Sequence, residues 1–224
     1  MSFDLSGGQF FSCMVASYAI LIDGGFAKRK LQSGNRSATA DDFRSLVDTI
    51  CHRPELDRLR LHRVYYYDAA PLESTERRPL KGGMIEFSKE PLVGRSKQLF
   101  MQLGRQPWMA LRLGELSFNG WAIQSKKLHK AQGTSLEISA DDLKPAITQK
   151  GVDMRIGMDI AALTLKKQVA VIVLVTGDSD FVPAMKFARR EGAQLFLAPL
   201  GHGIKESMRE HSDLVLDFEV SKHT

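Results

Sequence analysis

The sequence predicts an α/β fold in which a mostly parallel sheet lies between helices. Four short apolar runs predict this class, because they do not alternate with polar residues as half-exposed strands do. Segments of helix length separate the runs, which is typical of parallel strands joined by helical crossovers. The chain has 224 residues, of which 43% are hydrophobic, so its composition is that of an ordinary globular protein.

The first predicted strand covers residues 18–22 and ends in a turn that begins at Asp23. Two glycines follow Asp23, and glycine is typical of tight turns. Residues 41–51 place apolar side chains at spacings of three and four, which predicts an amphipathic helix. Thr39 or Asp41 is the expected N-cap, because short polar side chains accept hydrogen bonds from the first amides of a helix.

The second predicted strand covers residues 61–67 and ends in a turn at Asp68. Residues 77–149 form an elaborated middle, in which periodicity is weaker than in the rest of the chain. The elements predicted there are a helix, a strand and a further extended piece, at residues 95–104, 108–113 and 121–127.

The last part of the chain has a clearer pattern. Residues 169–175 and 194–198 are short apolar runs that predict buried strands. Between them, residues 181–191 predict a helix closed by Gly192. A last short strand is expected at residues 214–216.

We expect one domain over residues 18–217, with an N-terminal extension at 1–17 and a tail at 218–224. No apolar run approaches the roughly 18 residues of a spanning helix, and no secretory signal pattern is visible, so a cytoplasmic protein is expected. Cys13 and Cys51 provide neither a metal-site spacing nor a disulfide framework. The formal net charge of +5 permits an acidic partner without requiring one.

Acidic residues follow three of the predicted strands: Asp23, Asp68, and Asp178 with Asp180. Ligands of parallel α/β sheets collect at the carboxyl ends of the strands. If these strands are neighbours their carboxylates converge, and the dipole of a helix alone cannot neutralise several of them. Mg²⁺ prefers oxygen ligands, including one or two carboxylates. The sequence therefore predicts a site for a hard divalent cation.

A fourth acid comes from the start of a helix predicted after Lys150. Asp153 and Asp159 both belong to this helix, but they lie about 240° apart around its axis and cannot share one face. We favour Asp153, because the start of the helix can face the carboxyl edge of the sheet. Each aspartate taken alone is better explained as a turn former or helix cap than as a metal ligand. The coincidence of several such acids favours a site.

Two stretches, Lys150-Gly-Val-Asp153 and Thr176-Gly-Asp-Ser-Asp-Phe181, form a specific combination. On these residues the sequence resembles the NYN family, in particular its LabA-like branch, which belongs to the PIN-like nuclease superfamily. Further matching stretches occur in the expected order, at residues 18–26, 64–71, 112–114 and 211–213, with Asp159. Many members of the family have Asn shortly after the first aspartate, where this chain has Gly24, Gly25 and Phe26.

The resemblance implies a PIN-like three-layer sandwich with metal-dependent ribonuclease activity. It also implies Mg²⁺ or Mn²⁺ as the cofactor and RNA, in its single-stranded form, as the partner. The residues that match the catalytic and metal-binding acids are Asp23, Asp153, Asp178 and Asp180. Thr176 and Ser179 match the polar surroundings of the site. Lys150 is a candidate for substrate binding, with pairing to a nearby acid as its alternative.

The reaction expected from this resemblance is hydrolysis of an RNA phosphodiester by a metal-activated water. Basic residues near Phe118 and Trp121 are candidates for guiding RNA, although a solvated surface explains them equally well: Arg77, Arg78, Lys81, Lys126, Lys127 and Lys130. The alternative function is that of a catalytically weak RNA-binding or regulatory protein with the same fold. The sequence leaves open whether the chain forms a homodimer.

Overall fold

The computed structural model describes residues 15–34, 36–129 and 135–218, and these residues form three layers, with a sheet between two groups of helices. The strands are β1 (Ser17–Asp23), β2 (Arg60–Ala70), β3 (Thr75–Arg77), β4 (Met84–Glu86), β5 (Met109–Ile123), β6 (Leu143–Lys150), β7 (Val171–Val175), β8 (Gln194–Leu197) and β9 (Leu214–Val215). The α-helices are α1 (Gly24–Leu31), α2 (Ala40–Cys51), α3 (Pro91–Gly104), α4 (Ser125–His129), α5 (Val152–Leu165), α6 (Val182–Arg190) and α7 (Glu206–Glu210).

Seven of these strands form one sheet in the order β6-β5-β2-β1-β7-β8-β9. Every neighbouring pair in this sheet is parallel except β5 with β6, which is antiparallel. The short strands β3 and β4 pair with each other in a separate antiparallel hairpin. The predicted fold class, an α/β fold with a mostly parallel sheet between helices, is therefore confirmed.

Both faces of the sheet are covered, which explains the continuous apolar runs of its central strands. All five residues of β7 are buried. Along β1, Ile20 and Ile22 belong to the core on the side of α1, α2 and α3, whereas Leu21 belongs to the core on the side of α5 and α6. Burial of each such side chain contributes about 1.5–3 kcal/mol. The central strands are therefore held from both sides.

The predicted helix at residues 41–51 is confirmed as α2, and its N-cap is Thr39. The Thr39 hydroxyl accepts a hydrogen bond from the Asp42 amide at 3.4 Å, and the Asp42 carboxylate accepts one in return from the Thr39 amide at 2.7 Å. This reciprocal pair is a capping box, which satisfies amides that the helix itself leaves free.

The turn predicted at Asp23 is wrong, because α1 begins at Gly24, directly after β1. Asp23 is the N-cap of this helix, and its Oδ1 atom accepts a hydrogen bond from the Phe26 amide at 3.0 Å. Gly24 is required by close packing. A Cβ atom at this position would lie 2.5 Å from the Tyr67 carbonyl oxygen and 2.6 Å from Cζ of Tyr66.

The turn predicted at Asp68 is also wrong, because β2 continues to Ala70. Only 4% of Asp68 is exposed. Its carboxylate accepts a hydrogen bond from the Tyr66 hydroxyl at 2.7 Å and pairs with the Lys28 ammonium at 2.6 Å. A buried, paired carboxylate can lie inside a strand, and the local sequence does not reveal the Lys28 partner.

In the elaborated middle, the helix predicted at residues 95–104 is confirmed as part of α3. The strand predicted at 108–113 and the extended piece at 121–127 are not separate elements, because β5 runs from Met109 to Ile123. Residues 125–127 belong to α4 instead. The pairing of β5 with β6 shifts register between Phe118 and Trp121, where Gly120 has a φ of 95°. Such a bulge interrupts the alternation that marks a strand.

Cys13 and Lys130 lie outside the described residues. The domain boundaries at residues 17 and 217 stay predictions. Among the helices that the structure describes, none is both long enough and apolar enough to cross a membrane.

Candidate metal centre

The sheet order brings together the strands that carry the first group of predicted acids. β1 lies between β2 and β7, and all three run in the same direction. Ile22 pairs with Val175, so Asp23 and Thr176 follow at the same edge of the sheet. The Thr176 hydroxyl donates a hydrogen bond to Oδ2 of Asp23 at 3.1 Å. The end of β1 is thereby joined to the loop that carries Asp178.

Hydrogen bonds hold the carboxylate of Asp23 in place. Oδ1 accepts from the Phe26 amide in the first turn of α1, and Oδ2 accepts from Thr176. The Thr176 hydroxyl also accepts a hydrogen bond from the Asp178 amide at 3.2 Å. Thr176 is fully buried, so its contacts are with these protein groups. It orients Asp23 and the loop after β7 together.

Asp178 and Asp180 are exposed at the start of the helical segment that leads into α6. Oδ1 of Asp178 accepts a hydrogen bond from the Asp180 amide at 2.9 Å, so Asp178 caps this segment. Between them, the Ser179 hydroxyl accepts a hydrogen bond from the Lys205 ammonium at 2.8 Å. The capping role that the sequence offered as an alternative is present, and it leaves Oδ2 of Asp178 available.

Asp153 lies in the first turn of α5 and is exposed. Gly151 caps this helix with a φ of 76°, in the left-handed region that favours glycine. The segment before Asp153 packs closely on β5. A Cβ atom at Gly114 would lie 2.5 Å from the Lys150 carbonyl oxygen and 2.8 Å from Cγ2 of Val152. The resemblance stretches at residues 112–114 and 150–153 therefore meet in the fold.

Two of the predicted acids, Asp153 and Asp23, have raised pKa values. Burial raises the pKa of the Asp153 carboxyl above its ordinary value of 3.8, and the charges of Asp178 and Asp180 raise it further. Burial also raises the pKa of Asp23, and the charge of Asp153 adds to this effect. Hydrogen bonds from Phe26 and Thr176, and the charge of Arg29, act in the opposite direction on Asp23. Asp153 is therefore coupled electrostatically to Asp178 and Asp180, and also to Asp23.

The chemistry of these donors fits a hard divalent cation. Oxygen ligands suit Mg²⁺ and Mn²⁺, and Mg²⁺ needs only one or two carboxylates because water and phosphate oxygens complete its coordination. Among the described residues, no three His, Cys, Asp or Glu side chains form a group arranged to hold a metal ion. The four-aspartate coordination therefore stays a prediction.

Two other acids near this edge are already paired with cations. Asp68 pairs with Lys28, as described above. Asp159 accepts a hydrogen bond from the Tyr67 hydroxyl at 2.8 Å and one from Nε of Arg112 at 3.1 Å. These pairs join Asp68 to α1 and Asp159 to β2 and β5.

Lys150, the predicted substrate-binding lysine, is exposed at the end of β6. The basic residues predicted to guide RNA differ in their contacts. Lys127 pairs with Asp142 at 3.1 Å, whereas the guanidinium of Arg78 lies 5.8 Å from the centre of the Trp121 ring. The sequence analysis did not identify Arg29, whose charge lowers the pKa of Asp23 against the larger effect of burial. Arg29 belongs to α1, and a turn was predicted where that helix begins. The feature of the sequence that could have identified it is its position six residues after Asp23.

We expect the substitution Asp153→Asn to stabilise the metal-free protein near neutral pH. Because the pKa of Asp153 is raised in the folded state, the folded state binds more protons than the unfolded one, and stability falls as pH rises above about 3.8. Removing the charge removes this penalty. The gain should be less than about 1 kcal/mol because the group is exposed. Urea unfolding in chelator should show a gain near pH 7 that shrinks towards pH 4. A lower free energy of unfolding for Asp153→Asn than for wild type at neutral pH would contradict this prediction.

The strand order and the helices on both faces define an α/β protein, and Asp23 and the loop of Asp178 are joined at the carboxyl edge of its sheet. The NYN domain model matches residues 104–219, which is more than half of the chain. The chain therefore belongs to the NYN domain family. The matched region contains Asp153, Asp178 and Asp180, and Asp23 lies before it.

The structure is also similar to a crystal structure of a protein of unknown function from Vibrio parahaemolyticus. The similarity covers 92% of this chain and 94% of that chain, with a TM-score of 0.51 and 15% sequence identity. At this identity the likeness shows the fold alone. No curated protein matches the sequence.

Proposed function

We propose that the protein is a metal-dependent ribonuclease of the LabA-like branch of the NYN family, which hydrolyses phosphodiester bonds of single-stranded RNA in the cytoplasm. The observation that carries this proposal is the link through Thr176 between Asp23 and the loop of Asp178 at the carboxyl edge of the sheet. In addition to burial, the charges of Asp178 and Asp180 raise the pKa of Asp153, and the charge of Asp153 raises that of Asp23, which supports the proposal because a cation neutralises carboxylates that repel one another.

The four aspartates would hold Mg²⁺ or Mn²⁺. When bound, such an ion supplies an activated water and stabilises the leaving oxygen of the phosphodiester. Thr176 keeps Asp23 in one orientation by its hydrogen bond. Asp178 and Asp180 present exposed carboxylates from a capped, fixed loop. The raised pKa of Asp153 reflects burial and the repulsion from Asp178 and Asp180, and a bound cation would relieve this repulsion.

The substrate-binding part of the proposal concerns polar groups beside these acids. Ser179 is positioned by Lys205, so both a hydroxyl and an ammonium group lie next to Asp178 and Asp180. Lys150 is exposed three residues before Asp153. Cations at these positions would attract the phosphates of RNA, in which case binding weakens as salt concentration rises.

The test is cleavage of an end-labelled single-stranded RNA by the purified protein. We expect cleavage with Mn²⁺ or Mg²⁺, complete loss of cleavage in excess EDTA, and recovery when the metal is added back. A fully paired duplex of the same sequence serves as the substrate control and should be cut more slowly. Cleavage that continues in EDTA would contradict metal dependence.

The alternative of a catalytically weak RNA-binding protein predicts a different result in the same experiment. That protein would retain the RNA in a binding assay with Mn²⁺ present, but would leave every tested RNA intact. Such an outcome would overturn the nuclease proposal and favour a regulatory role.

A further inference from the structure

A cleft of about 740 Å³ lies beside the candidate metal centre. Its walls come from α1, from the β3–β4 hairpin and the segment after it, from the start of α3, and from the antiparallel pair of β5 and β6. A volume of this size is within the range of roughly 300–1,000 Å³ found for small-molecule sites. Most of these walls belong to the elaborated middle of the chain.

The cleft adjoins the start of α1, which Asp23 caps. Gly25 and Arg29 of α1 both line the cleft. A Cβ atom at Gly25 would lie 3.4 Å from Oδ1 of Asp23 and 3.8 Å from Nη1 of Arg29. Gly25 therefore lies directly beside the Asp23 carboxylate, and the charge of Arg29 acts on it. This end of the cleft is the end nearest to Asp23.

The charged residues that line the cleft favour an anion over a cation. Its lining includes three cations, Lys28, Arg29 and Arg95, and two acids, Asp68 and Glu90. Lys28 is held in position by its pair with Asp68, which neutralises one of the acids. The lining therefore retains an excess of positive charge.

The other walls of the cleft are apolar. Ile85, Val93, Leu99 and Ile147 line it, and Phe87 contributes an aromatic ring. The Phe87 ring begins a row of rings outside the cleft. Its centre lies 5.9 Å from that of Phe118, which in turn lies 5.7 Å from that of Trp121, beside Arg78.

We propose that this cleft binds one base of a single-stranded RNA, next to the phosphate that lies at the candidate metal centre. The proposal rests on the ribonuclease function proposed above. Apolar and aromatic walls bind the face of a base, and neighbouring cations bind its phosphates. A base enclosed in a cleft cannot keep its partner in a duplex, so the cleft gives a physical reason for a preference for single strands.

The test measures binding of RNAs of five nucleotides to the full chain in EDTA, which prevents metal-dependent cleavage. One RNA is intact, and in each of the others a different base is removed while the backbone is kept. We expect the loss of the base at one position, but not at the others, to weaken binding about tenfold. No dependence on any single base would overturn the proposal.

Two matched pairs of variants locate the effect. In Ile147→Asp, removal of the base should no longer weaken RNA binding, because a charge would lie on the apolar wall of the cleft. In Ile138→Asp it should persist: Ile138 has nearly the same exposure, 37% against 38% for Ile147, and does not line the cleft. Arg95→Gln should weaken binding of every RNA more than Arg105→Gln at the other end of α3. Equal behaviour within both pairs would overturn the proposal.

The two proposals fail in distinguishable ways. Binding that depends on one base, without any cleavage in Mn²⁺, would support the cleft and reject the nuclease. Cleavage in Mn²⁺, without dependence on any single base, would support the nuclease and reject the cleft.

Discussion

Replacement of Asp178 by Asn is expected to lower metal-dependent RNA cleavage by at least about 100-fold, while the protein stays folded. Charge stabilisation by a metal ion is worth several kcal/mol in a phosphoryl-type reaction, and each 1.36 kcal/mol corresponds to about a tenfold change in rate. Asp178 caps the helical segment after β7 through its Oδ1 atom. The Asn side chain keeps an oxygen for this hydrogen bond and is an equally good cap.

The measurement compares initial cleavage rates of wild type and Asp178→Asn in Mn²⁺, with circular dichroism as the check on folding. Asp57→Asn is the matched control, because Asp57 is likewise an exposed aspartate beside a short helical turn, but it lies before the start of β2 and not at the carboxyl edge of the sheet. It should cleave at the wild-type rate. Equal residual cleavage by wild type and Asp178→Asn would point to a contaminating nuclease and remove the support for the enzyme.

The substitution Gly24→Ala is expected to destabilise the protein by about 3 kcal/mol, at the upper end of the range for overpacked cores. The added methyl group would lie 2.5 Å from the Tyr67 carbonyl oxygen and 2.6 Å from Cζ of the buried Tyr66 ring. Both neighbours belong to β2, a central strand, so neither can move without disturbing the sheet. The free energy of unfolding in urea measures the effect.

The matched control for this prediction is Gly25→Ala, one residue further along α1. Its methyl group would lie 3.4 Å from Oδ1 of Asp23, which is an ordinary contact distance. We expect its stability to change by no more than about 1 kcal/mol, since alanine is favoured over glycine in a helix. If both variants unfold at the same urea concentration, the close packing of Gly24 on β2 is not what requires glycine there.

The local pattern of the sequence was sufficient for most of the elements. Apolar runs predicted β1, β7 and β8 to within two residues, and a period of three to four predicted α2, with Thr39 as one of two candidate caps. It failed at β5, whose bulge interrupts the alternation, and at α1, whose two glycines are typical of a turn. In both places a long-range contact outweighed the local preference of the residues.

The sequence by itself determined the α/β class and the positions of Asp23, Asp153, Asp178 and Asp180 at the ends of elements, because hydrophobic periodicity and strand ends are local properties. Only the tertiary structure decided which of these ends are neighbours. The order β2-β1-β7 brings Asp23 beside Thr176, and the pair with Lys28 neutralises Asp68. The cleft beside Gly25 likewise exists only because four separate segments of the chain pack around it. Strand order and ion pairing depend on packing between residues far apart in the chain, for which a single sequence carries no local signal.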